Sequence, residues 1–278
     1  MTLEHTKTAQ HKALEYFFDQ DRLRTLAADL HDSFVNADPY PHMKVDDFLP
    51  PEVLDQVLAE FPEADDAQWE RFARPTEVKL ALNDVTQMGP VTRHLLAEFN
   101  GPVFLEFLGT VTGIDGLIAD HNYAGGGLHQ IRPGGFLSVH ADFNRLPELR
   151  LDRRLNALLY LNKDWKPEYG GSIELWDRDM KARVKSYGPV FNRLVIFATT
   201  SRSYHGHPDP LACPPDRTRR SMALYYYTNG RPEEEVQGEH TTLFQKRPGE
   251  KFKAPAKVMA ERLVPPIVMD GIRKYRHR

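Results

Sequence analysis

One cysteine, Cys213, is the only thiol in 278 residues, and it lies against Pro214 and Pro215. A lone thiol excludes an intrachain disulfide framework and the paired-cysteine zinc arrangements, and it suits a reducing compartment. Long apolar runs are missing as well: no window approaches the roughly 18 consecutive apolar residues of a membrane span. The start, MTLEHTKTAQHKALEYFFDQ, lacks the apolar stretch of a secretory signal. A cytoplasmic protein is the expectation. Nor does charge of one sign accumulate, since 36 basic and 39 acidic residues leave a net charge of −3. That balance gives no general reason to expect nucleic-acid or anionic-membrane binding, and it says nothing of oligomeric state. There is no HExxH and no GxSxG elbow. Gly125-Gly126-Gly127 has neither the GxGxxG nor the GxxxxGKS/T spacing and reads as a turn rather than a phosphate loop. No internal repeat, low-complexity tract or obvious linker divides the chain, whose length suffices for one large domain.

What is present changes character part-way along. Leu14, Phe17, Phe18, Leu23, Leu26, Leu30 and Phe34 recur at helical spacing, which predicts a helix over about 8–36. Pro39-Tyr40-Pro41 ends it, and a short strand over 42–48 follows. Leu49-Pro50-Pro51-Glu52 opens a second helix carrying Val53, Leu54, Val57, Leu58 and Phe61 on its face. The polar stretch 62–83 has little periodicity and reads as a loop, with helices expected near 90–99 and 101–112. After Gly116 come short apolar or alternating runs at 117–123, 128–132, 136–142, 154–162, 172–176, 182–187, 192–199 and 220–227, many of them separated by glycine or proline breaks. Strands at this spacing indicate a sandwich or barrel. A closing helix is expected over 255–277, ending in a basic tail.

The candidate chemistry begins at His140-Ala141-Asp142. On a strand, residues two apart share a face, so this imidazole and carboxylate can reach one point in space. A third ligand from a distant strand would complete a two-histidine, one-carboxylate face, which leaves coordination positions open and suits ferrous iron. His205 and His207, in Ser203-Tyr204-His205-Gly206-His207, both offer that third ligand.

Several segments now fall into an ordered pattern. Gly134-Gly135-Phe136-Leu137 leads into His140-Ala141-Asp142. Leu158-Leu159-Tyr160-Leu161-Asn162-Lys163-Asp164-Trp165 and Gly170-Gly171-Ser172-Ile173-Glu174-Leu175-Trp176 follow. Asn192-Arg193-Leu194-Val195-Ile196-Phe197, His205-Gly206 and Arg219-Arg220-Ser221-Met222-Ala223-Leu224-Tyr225-Tyr226-Tyr227 complete the series. In order and spacing the region resembles the iron(II)/2-oxoglutarate-dependent oxygenase superfamily, in its prolyl hydroxylase-like branch. Weaker resemblance extends through 39–61 and 247–250.

That resemblance implies an α+β fold: a double-stranded β-helix, or jelly roll, with N-terminal helices packed on one side and a C-terminal helix. It implies a single oxygenase domain over 1–278, with a mainly helical support region (1–115), a catalytic core (116–230) and an extension (231–278). It makes His140, Asp142 and His205 the Fe(2+) ligands, the family placing its ligand just before the glycine. Arg220 becomes the residue that grips the distal carboxylate of 2-oxoglutarate, with Arg219 as the alternative, and Tyr160 donates to the same carboxylate. Asn156, four residues before Tyr160 on the same strand face, is a further pocket candidate. The implied activity is hydroxylation of an unactivated C–H bond with release of succinate and CO2, and with ascorbate as an optional reductant. Asp142 argues against a halogenase, which vacates that position. The substrate stays open between a prolyl or other protein residue, a free amino acid and a small metabolite, and a non-catalytic sensor of iron or 2-oxoglutarate is a further reading. The family's frequent aromatic residue before Gly-Gly is absent, Gln130-Ile131-Arg132 standing there. Arg145, Arg150, Arg153 and Arg154 read as a solvated basic loop near the mouth, able to receive an acidic substrate.

Overall fold

The computed structural model describes residues 16–250, apart from Ala67 and Gln237. Helix α1 (Gln20–Val35), strand β1 (His42–Val45), helix α2 (Pro51–Ala59), strands β2 (Glu70–Arg74) and β3 (Glu77–Leu82), and helices α3 (Pro90–Phe99) and α4 (Pro102–Thr112) form the first half. The second half is almost all strand: β4 (Ile118–Ala119), β5 (Gly127–Ile131), β6 (Phe136–Ala141), β7 (Arg145–Leu146), β8 (Leu151–Tyr160), β9 (Ile173–Trp176), β10 (Arg183–Tyr187), β11 (Arg193–Ala198), β12 (His205–His207), β13 (Arg219–Thr228) and β14 (Leu243–Phe244). The expected closing helix at 255–277 and its basic tail lie outside the described residues, as do the first residues of the expected 8–36 helix. Within them, α1 starts only at Gln20, because the Asp19 carboxylate accepts the Arg22 backbone N–H and caps the helix.

The strands pair antiparallel in the order β1-β11-β8-β13-β5-β3-β6-β12-β9-β10, and this sheet curls into a double-stranded β-helix. Each central strand sorts its side chains by the two-residue period. On β8, Leu155, Ala157 and Leu159 face the helices; on β13, Met222, Leu224 and Tyr226 do the same. They pack against an aromatic cluster that joins the helices: Phe99 and Phe104 meet edge to face at 4.8 Å, and Phe18 stacks on Phe104 at 5.4 Å. Glu98 fixes the segment before α1 by accepting from the backbone N–H groups of Phe17 (2.7 Å) and Phe18 (3.0 Å). The helical layer thus supports one face of the sheet and leaves the inner face free.

The expected loop at 62–83 proves to contain a hairpin. β2 pairs with β3, and β3 lies in the middle of the sheet between β5 and β6. Its alternation is concealed by charge: Glu77 is buried, yet paired with Lys79 at 3.3 Å and Arg74 at 3.6 Å. A buried carboxylate matched in this way is compatible with a central strand, although its sequence reads as polar.

Candidate active site

His140 lies on β6 with Asp142 just beyond its end, and His205 opens β12 and pairs directly with His140 in the ladder. The imidazole rings approach to 4.4 Å between centroids. His140 Nε2 is 3.5 Å from Asp142 Oδ1, and His205 Nε2 is 3.3 Å from Asp142 Oδ2. One nitrogen from each histidine and one carboxylate oxygen all lie within 4.8 Å of one another. His140 Nδ1 donates to the Ser138 carbonyl at 2.9 Å and His205 Nδ1 to the Ser203 carbonyl at 2.9 Å. A carbonyl only accepts, so each Nδ1 carries a proton, which leaves each Nε2 as the nitrogen available to a metal. Burial, with His205 adding to it, pushes the His140 pKa down and keeps that ring neutral. Two neutral imidazoles and one carboxylate on a shared face fit a ferrous ion with open positions.

Gly206 explains why the third histidine is followed by glycine. A Cβ there would come within 2.8 Å of the Leu137 carbonyl oxygen and 2.9 Å of that of Ser138, so β12 can lie this close to β6 only without a side chain. The register also slips here. His205 opposes His140 but His207 opposes Leu137, an extra residue on β6 that lets Leu137 and His140 both line the cavity, while His205 and His207, two apart on β12, share its face. His207 nevertheless stands outside the cluster of three ligand atoms.

Asp142 is held by its own set of partners. Arg153 Nη2 approaches its Oδ2 to 3.1 Å, and Asn156 Nδ2 donates to the same oxygen at 2.7 Å. Arg153 also donates to Asn156 Oδ1 from Nε (3.0 Å) and Nη2 (2.7 Å), closing a triangle. Its guanidinium lies over the Tyr225 ring at 3.6 Å and that of Phe143 at 4.5 Å. Burial works to raise the Asp142 pKa, but Arg153 and the two histidines overcome it and hold the carboxyl well below the usual range. The reading of 144–154 as a solvated basic loop therefore fails for Arg153, which is 1% exposed, and for Arg154, which is buried against Glu235 at 3.2 Å. Arg150 is exposed, as that reading expects, and Arg145 is half-buried, 3.9 Å from Glu239.

The cavity beside the triad measures about 80 Å³ and is lined by His140, Asp142 and His205, by Asn156 and Leu158 of β8, and by Arg219, Ser221 and Tyr225 of β13. Lys79, His129 and His207 contribute its other basic groups. Arg220, the residue expected here, turns the other way. Its guanidinium lies over Phe61 at 5.1 Å and 3.9 Å from Glu63, on the face shared with Met222 and Leu224. Arg219 takes the inward position: its Nε donates to the Gly171 carbonyl at 2.8 Å and its Nη2 to the Tyr160 hydroxyl at 3.3 Å. A Cβ at Gly171 would meet Arg219 Cδ at 2.9 Å, which ties the Gly170-Gly171 pair to this arginine. Tyr160 is fully buried beneath it. Among the described residues no carboxylate pairs with Arg219, and burial pushes its pKa down. Arg153, just as deeply buried, has its pKa raised by Asp142 against the effect of burial.

Residues 126–227 match the family model of the 2OG-Fe(II) oxygenase superfamily. That matched segment holds all three residues of the triad and is what ties the chain to the superfamily by similarity. It is 33% identical over 79 residues to a prolyl 3-hydroxylase of Mus musculus, a match covering 27% of this chain and 14% of that protein's length. Among solved structures it resembles a prolyl-4-hydroxylase of Pseudomonas putida, with a TM-score of 0.53 at 19% identity over 73% of this chain and all of that one. It also resembles a prolyl hydroxylase of Trichoplax adhaerens solved with a hypoxia-inducible-factor peptide. There the TM-score is 0.56 at 16% identity, over 74% of this chain and 91% of the other. At these identities the structures speak for the fold, and they agree with the double-stranded β-helix. The superfamily uses Fe(II) and 2-oxoglutarate with O2.

Proposed function

We propose that this chain is an Fe(II)- and 2-oxoglutarate-dependent hydroxylase acting on an unactivated C–H bond, with His140, Asp142 and His205 as metal ligands and Arg219 with Tyr160 as the anchor for the distal carboxylate. The observation that carries the reading is one cavity with two complementary walls. One wall presents two imidazole lone pairs and a carboxylate. The other presents the buried Arg219 guanidinium, which has no acidic partner among the described residues. An unpaired buried charge is costly, and a bidentate carboxylate is the geometric complement of a guanidinium. Iron held by His140, Asp142 and His205 would supply, with 2-oxoglutarate and O2, the oxidation, in which one atom of O2 would enter the C–H bond and the other the succinate left when 2-oxoglutarate loses CO2. The protein's share is positioning. Backbone carbonyls fix both imidazole tautomers, Arg153 and Asn156 orient the carboxylate, and the surrounding apolar residues limit water.

A prolyl or other amino-acid-type substrate is favoured by the similarity to prolyl hydroxylases and by a groove of about 820 Å³ that starts at Phe143, next to Asp142. Leu146, Pro147 and Leu149 line one side and Asn83 and Asn122 another, giving an extended chain apolar contacts and amide partners. The whole chain is read as a single cytoplasmic domain; its single cysteine supports the location, and among the described residues no helix is long and apolar enough to cross a membrane. Succinate production with Fe(II) and 2-oxoglutarate, and its stimulation by prolyl peptides or free amino acids with gain of one oxygen atom, tests the assignment. Failure of the protein to bind both metal and 2-oxoglutarate refutes it.

A further inference from the structure

His207 is buried on β12, and among the described residues neither of its ring nitrogens has a hydrogen-bond partner. A buried imidazole with no partner is uncommon in a folded protein, because each unmet donor or acceptor keeps its desolvation cost. Two residues beyond His205 on β12, His207 shares that residue's face and lines the cavity that also holds the metal-ligand triad and Arg219. It lines that cavity together with His140, Arg219 and Lys79. An imidazole carries at least one N–H donor. Lys79 already has Glu77 at 3.3 Å, whereas His207 has nothing.

We propose that His207 is a specificity residue for the co-substrate, donating its N–H to the distal carboxylate of a 2-oxo diacid beside Arg219 and so disfavouring 2-oxo monoacids. The inference rests on the proposed function. A site whose buried polar group expects an acceptor rejects the analogue that lacks one, because the group then stays unmatched in the complex. Arg219 supplies charge and bidentate geometry; His207 adds to Arg219 and Tyr160 a further donor from a different strand, which fixes where along the cavity the carboxylate must lie.

Binding of 2-oxoglutarate and of 2-oxopentanoate, which lacks the distal carboxylate, is measured calorimetrically without oxygen on the Mn(II)-loaded protein. His207→Val is expected to weaken 2-oxoglutarate by about tenfold and to leave 2-oxopentanoate within about twofold of wild type. His207→Gln, which keeps an N–H, recovers most of the loss. Mn(II) affinity and thermal unfolding, measured on the same samples, are expected to stay close to wild type. Unchanged 2-oxoglutarate binding in His207→Val overturns the proposal, as does an equal loss for both acids. Loss of Mn(II) binding overturns it by making His207 a metal ligand. If the wild-type protein binds Mn(II) but no 2-oxoglutarate, the functional reading itself fails. If Arg219→Met weakens 2-oxoglutarate and His207→Val does not, only this inference fails.

Discussion

Replacing Arg153 with methionine separates what the metal does at the triad from what the protein does alone. In the metal-free protein the Asp142 carboxylate has one full positive charge beside it, the Arg153 guanidinium at 3.1 Å, and its side chain is only 11% exposed. Methionine keeps most of the volume and the contact with the Tyr225 and Phe143 rings but removes that charge. Breaking a buried pair by deleting one partner costs about 3–5 kcal/mol, because the surviving charge is left uncompensated. At about 2–4 °C per kcal/mol for a domain of this size, the metal-free variant should melt about 6–20 °C below wild type. A divalent ion held by His140, Asp142 and His205 supplies positive charge to the same carboxylate, and the guanidinium no longer opposes its entry. With metal bound, the gap should therefore shrink to less than half.

Thermal unfolding of both proteins, once in excess chelator and once in saturating Mn(II), measures the two gaps. By linkage, whatever stability the metal restores appears as tighter Mn(II) binding: about 1.4 kcal/mol recovered corresponds to tenfold in affinity. The reasoning is refuted if the variant melts like wild type without metal, or if it loses the same amount with and without metal. Either outcome would mean that the charge on Asp142 does not depend on Arg153.

Arg219→Met should weaken 2-oxoglutarate binding to the Mn(II)-loaded protein by about a hundredfold or more, from the loss of a buried charge-assisted pair, whereas Arg220→Met should stay within about threefold; calorimetric titration distinguishes them, and a larger loss at Arg220 would reverse the assignment. Gly206→Ala brings a methyl group to 2.8 Å from the Leu137 carbonyl oxygen. Separating β12 from β6 should cost about 1–3 kcal/mol in chemical denaturation and weaken Mn(II) binding as His205 moves with its strand. Phe104→Ala should cost about 3–5 kcal/mol, because this ring, fully buried, joins Phe18, Phe99 and Phe107; in the fraction that stays folded, Mn(II) affinity should match wild type.

The parts of the site readable from sequence are those that obey a local rule. His140 and Asp142 share a strand face, as do Asn156 and Tyr160, and the structure keeps both pairs inside the curled sheet. Where the rule breaks, the cause is a bulge. Two-residue alternation carried back from Asn156 would turn Arg154 inward, but the register between β8 and β13 slips where Tyr226 opposes Leu155 and Tyr227 opposes Arg153. Arg153 therefore faces Asp142, and Arg154 points out to Glu235. The second slip, an extra residue on β6 against β12, lets Leu137 and His140, three apart, both line the cavity. Bulges concentrate beside active sites because an extra residue re-aims a side chain without ending the strand, and no composition signal marks them. The β3 strand was hidden for another reason, its charges being matched only by partners the fold brings together.

Arg219 and Arg220 illustrate a signal that was available. Met222, Leu224 and Tyr226 make one face of β13 strongly apolar, while Ser221, Ala223 and Tyr225 make the other small or polar. A sheet that packs helices on one side and encloses a metal site on the other must give its greasier face to the helices. Arg220 has the parity of Met222 and so belongs to the helical side, where it covers Phe61 and reaches toward Glu63 at the edge. Arg219 has the parity of Ser221 and Tyr225 and must point at the cavity. Face parity thus decides between adjacent arginines when family spacing leaves both in range, and it makes a stronger demand than spacing does. Among the described residues the inward arginine is buried without a carboxylate of its own, which is the ground for reading it as the anchor of an acidic ligand.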